Sequence, residues 1–151
     1  MATWILADNA RLRQFNGNGL DFDTPGGNGF KIALVTSAYT PNQNTHDFWD
    51  DASANEVSGT GYTAGGNVLN NPSVSMDGSG NITIDADDPA TWVQDAAGFT
   101  NARRAVLIRD TGVAATSEIV AYSDDFGADR GNVAGPYSIQ LDAAGIITSA
   151  R

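Results

Sequence analysis

Cysteine is absent from the chain, which rules out a disulfide framework and any thiolate metal site and leaves stability to packing, hydrogen bonds or association. Positive charge is scarce. Eight Lys and Arg residues stand against eighteen Asp and Glu, for a formal net charge of −10, and Lys31 is the sole lysine. Nucleic-acid binders gain affinity by neutralising phosphates with Lys and Arg, so no nucleic acid is expected as a partner. No apolar run approaches the roughly eighteen residues that a membrane span requires, so no membrane is expected either. The opening MATWILADNARLRQF lacks the basic start, long apolar stretch and small-residue cleavage site of a secretory leader. Cytoplasmic synthesis without such a leader is the expectation.

What the chain does have is punctuation. Seventeen glycines, interspersed with Asn, Asp, Ser and Thr, break the 151 residues at short intervals in the manner of an all-β domain, and the length suits one domain spanning residues 1–151. Phe30 to Thr36 is apolar on both parities, which predicts a central strand covered on two sides. Ile82, Ile84 and Ala86 alternate with Thr83, Asp85 and Asp87, and Tyr137, Ile139 and Leu141 alternate with Ser138, Gln140 and Asp142. These two segments predict strands with one dry and one wet face. Ala105 to Ile108 and Ile119 to Tyr122 predict a central hairpin, and Val74 and Met76 with Ile82 and Ile84 predict another around Asp77 to Asn81. A last strand is expected at Gly145 to Thr148. Helix is sparse: one segment from Trp4 to Gln14, with Thr3 placed to cap it and Asn16-Gly17 to stop it, and a single turn after Thr45. The fold class is mainly β, an antiparallel β-sandwich or jelly-roll-like single domain with one or two short helices.

Candidate chemistry is thin, and neither a catalytic site nor a cofactor or metal site is expected. Asp77-Gly78-Ser79-Gly80-Asn81 has the alternating oxygens of a calcium loop but carries Ile82 where an EF-hand needs glycine, and a hairpin turn explains it better. Asp85, Asp87 and Asp88 could hold a cation or act in acid–base chemistry, yet a solvated strand face accounts for them. His46, the one histidine, has Asp47 beside it but no nucleophile elbow, so a turn-bonded role is expected. Gly59-x-Gly61 and Gly65-Gly66 lack the strand-then-helix setting of a phosphate loop. Phe48 and Trp49 are adjacent aromatics in an acidic turn. Neighbours there point about a hundred degrees apart, so both cannot be fully buried. One of them, together with Trp4, is the candidate partner contact.

The most distinctive string is FKIALVTSAYTPNQNTHDFWDDASANEVSGTGYTAGG, Phe30 to Gly66. Its pieces at Phe30–Pro41, Thr45–Asp51 and Asn55–Gly66, with the later Asp85–Trp92 and Ala102–Gly112, resemble a family of small tailed-bacteriophage virion structural proteins. A Pro-Ala-Thr insertion before Trp92 departs from the pattern. The resemblance runs from the first residues to about Gly127 and implies a non-enzymatic particle component. It implies a head decoration or tail-associated protein, and the expected function is that of a capsid decoration (cement) protein on the outer capsid surface of the virion, with a homotrimer bridging subunits of the major capsid protein carried over from decoration proteins in general. The alternative is a tail or fibre-associated module whose loops at Asn55–Gly66 and Asp124–Asn132 recognise a host cell-surface glycan.

Overall fold

The structure of the protein, a computed structural model, describes residues 3–14, 19–22 and 29–149. In chain order its elements are β1 (Trp4–Leu6), α1 (Asp8–Arg13), β2 (Gly29–Val35), α2 (Asp50–Ser53), β3 (Asn67–Val68), β4 (Ser73–Met76), β5 (Ile82–Asp85), β6 (Arg104–Asp110), a 3-10 turn (Ala114–Thr116), β7 (Glu118–Ser123) and β8 (Ile147–Ser149). The fold is mainly β and sandwich-like. A five-stranded sheet has the order β1-β7-β6-β2-β3 and a three-stranded sheet the order β4-β5-β8, with every pairing antiparallel.

The central strands follow from the apolar runs. In β2 Ile32, Ala33, Leu34 and Val35 are all fully buried, and β6 sets Leu107 opposite Ile32 and Ala105 opposite Leu34. Side chains alternate across a strand, so burial of consecutive residues means cover on both faces. All six residues of β7 are buried, and it pairs with β6 in the expected hairpin, with a register shift between Leu107 and Ile108. Trp92, Phe30 and Phe99 are the largest fully buried side chains among the described residues. The hairpin of β4 and β5 forms around Asp77, whose carboxylate accepts from the amides of Ser79 and Asn81 and from the Asn81 side chain.

Several expectations need correction. Trp4 to Leu6 is not helical. These residues pair with Ser123 to Ala121 of β7, and the helix starts at Asp8 behind Ala7, without a side-chain cap. Completing the edge of β7 outweighs a weak local helical pattern. The Asn16-Gly17 stop lies outside the described residues. The turn after Thr45 becomes helical only at Asp50, and the side chain holding its approach is that of Asp51, which accepts from the amides of Asp47 and Phe48 at 3.0 and 3.2 Å. Tyr137 to Leu141 keeps the expected alternation, with Ile139 and Leu141 buried, but only Tyr137 makes a β-bridge, to Trp92. The last strand is Ile147–Ser149, since Gly145 sits at φ 106° in the Asp142 turn. Of the expected dry face of β5, Ile84 is buried while Ile82 is 43% exposed, because the hairpin extends past the core.

Candidate functional site

The residues with chemical potential do not converge. Asp85 accepts from the amide of Ala86, Asp87 from the side chain of Asn71 at 2.6 Å and Asp88 from the amide of Leu141 at 2.7 Å. Each carboxylate pins a different strand end or loop, and no metal-holding cluster of His, Asp or Glu occurs among the described residues. His46 Nδ1 accepts from the amide of Asn42 at 3.2 Å and lies 3.2 Å from the Tyr39 hydroxyl, closing its own turn. Burial pushes that phenol up to about 12. The histidine is thus committed to a turn, as expected.

The distinctive Asn55–Gly66 string is a clasp. Tyr62 accepts from the amide of Leu34 at 2.9 Å and donates to Glu56 Oε1 at 2.8 Å, and the same oxygen accepts from the amide of Gly65 at 2.6 Å. The loop is thereby fixed to β2. Burial raises the Glu56 carboxyl above its ordinary value, against the lowering effect of these hydrogen bonds and of Lys31. Gly66 lies at φ 80°, where a Cβ would overlap the Ile32 carbonyl oxygen, so this position admits only glycine. A second staple is the fully buried Asn132. It donates to the carbonyls of Val93 and Thr60 at 2.8 and 3.2 Å and accepts from the amide of Phe99 at 2.9 Å, joining three loops.

Glu118, 2% exposed, is ion-paired with Arg109 at 3.0 Å and with Arg13 of α1. Arg109 and Glu118 are directly opposed across β6 and β7. The pair therefore ties the short helix to the central hairpin. No motif marked Glu118 in the sequence. The available signal was that the chain holds only two glutamates among eighteen acidic residues, and that the hairpin register sets one of them against an arginine.

The surface offers three features. A cleft of about 580 Å³ is lined by Asp124, Phe126, Arg130, Tyr137 and Gln140, among others. A second, of about 400 Å³, runs between Trp4 and Leu6 of β1 and Ile147 to Ser149 of β8, and the indole nitrogen of Trp4 is buried without a hydrogen-bond partner. The third is the β4–β5 hairpin. All four residues of β4 are exposed, and among the described residues no strand pairs with its outer edge, with Val74 41% and Met76 71% exposed beside Ile82. Of the aromatic pair in the acidic turn, Trp49 is buried and Phe48 only partly so, leaving Phe48 as the outward member. Comparison with protein-family models, with curated proteins and with solved structures finds no match to this chain.

Proposed function

We propose that the protein is a phage capsid decoration (cement) protein that docks on the outer surface of the head shell and stabilises it by bridging subunits of the major capsid protein, as a homotrimer. The observation that carries this is the β4–β5 hairpin. A strand edge left open among the described residues, carrying exposed Val74 and Met76, invites uncontrolled pairing unless a partner covers it. Trp4 lines the cleft at the other side of the same small sheet, beside β8, so the apolar contacts available to a partner flank that sheet on both sides. A non-enzymatic role fits the dispersal of Asp85, Asp87, Asp88 and His46 into separate structural bonds. The excess of acidic side chains suits the outside of a DNA-filled particle.

The test is recruitment. Purified protein is added to heads that lack it, alongside Met76→Asp, Ile82→Asp and Trp4→Ala. Wild type is expected to bind heads across moderate salt, because apolar docking carries no counterion-release dependence. Met76→Asp and Ile82→Asp are expected to abolish binding while melting like wild type. Recruitment to a tail fraction and not to heads would favour a tail or fibre module that recognises a host cell-surface glycan, for which the Asp124–Gln140 cleft is the supporting feature.

A further inference from the structure

The larger cleft combines two kinds of wall. Tyr137 and Phe126 form an aromatic corner, their ring centroids 6.4 Å apart and tilted by 56°. Tyr137 is itself backed by the buried Trp92 and Phe99, with centroids 5.9 and 6.0 Å away, so its ring is held rigidly from behind. Around this corner stand polar side chains. Asp124, Arg130, Ser138 and Gln140 are exposed, and the alternation along Ser138-Ile139-Gln140 turns Ile139 inward and the two polar residues outward. Asp125, also in the lining, is already occupied by Arg103 at 2.6 Å and by the amide of Gly127.

These parts fit one class of ligand. A rigid ring face with planar carboxylate, amide and guanidinium groups at its rim matches a pyranose, which offers an apolar C–H face and a fringe of hydroxyls that both donate and accept. The lining has two carboxylates, and its one guanidinium, that of Arg130, lies 3.5 Å from the Phe126 carbonyl as a donor, on a chain of net charge −10, which disfavours phosphate-bearing and other anionic ligands. The Asn55–Gly66 loop, by contrast, spends Glu56, Tyr62 and Gly65 on its clasp to β2 and has no comparable set of groups to offer. We infer that the cleft lined by Phe126 and Tyr137 is a binding site for a neutral saccharide, with the aromatic corner as stacking platform and Asp124 and Gln140 as hydroxyl partners. This does not depend on docking to the head shell, and it holds equally for a protein carried on a tail.

The experiment is saturation-transfer NMR and calorimetric titration of the full chain with maltohexaose, cellohexaose and chitohexaose, and with a lysine-rich peptide as the rival ligand. Saturable binding of at least one hexasaccharide is expected, with transfer to ring-proton faces. Asp124→Ala and Gln140→Ala are expected to weaken it by about tenfold each without lowering the melting temperature. Phe126→Leu keeps the apolar fill but removes the ring face, and is expected to weaken it severalfold. Saccharide affinity unchanged in all three variants would overturn the assignment. So would binding of the peptide alone, or no saturable binding of any of the three sugars.

Discussion

Glu56 and Glu118 carry much of what holds the molecule's irregular segments in place, and they do so differently. Glu56 acts as an acceptor for Tyr62 and Gly65, and burial already raises its carboxyl. A raised carboxyl means that the folded state holds its proton more tightly than the unfolded chain. Its contribution is therefore fully present below the unfolded value and declines as pH rises through the folded one. Glu56→Gln keeps the acceptor and removes the charge, so at pH 7 it is expected to melt at or above wild type in a urea or thermal titration. Glu56→Ala strands a hydroxyl and an amide and is expected to cost about 1–3 kcal/mol. Glu118, itself buried, answers two partly exposed arginines. Glu118→Ala leaves two guanidiniums that still reach solvent without their carboxylate and is expected to cost about 1–3 kcal/mol in the same titration. At this scale the sequence was only partly legible. His46 and Asp77 declared their turn roles through local spacing, whereas Glu118 and Asn132 act through partners far along the chain, which no local pattern reveals.

Among the elements, the strands that read most clearly were those whose neighbours add nothing to their pattern. The runs in β2, β6 and β7 are apolar on both parities and became the middle of the larger sheet, so Leu107→Ala is expected to cost about 2–5 kcal/mol through lost transfer energy and a residual cavity. A Leu107→Ala protein melting like wild type would contradict the central position of β6. The segments that misled are those decided by tertiary pairing. Trp4 to Leu6 is a strand because the edge of β7 is free to receive it, and Ile82 is exposed because its hairpin extends past the core. Acid sensitivity also belongs to the elements. Lys31 beside Asp110, Arg103 beside Asp125 and the Asn81 amide beside Asp77 each hold a carboxyl below its usual range. Lowered carboxyls contribute stability that is present above the unfolded value of about 4 and lost as pH falls through the lower folded values. Thermal melts in a pH series are expected to fall in that acid range, and Asp125→Asn should flatten part of the decline.

For the whole molecule, the sandwich-like architecture was legible in the sequence, because glycine punctuation and strand parity are properties of composition and order. The surface was not. Trp49 turned inward and Phe48 partly outward, and the exposed Val74 and Met76 gave no sign of themselves in a hairpin that looked like any other. A protein that cements a shell must cover such apolar groups against its partner many times over. The measurement that tests this most directly is the copy number of the chain relative to the major capsid protein in purified particles, by quantitative mass spectrometry of separated head and tail fractions. A decoration protein is expected in the head fraction at a copy number comparable to that of the capsid subunit. A handful of copies, confined to the tail fraction, would contradict the cement role.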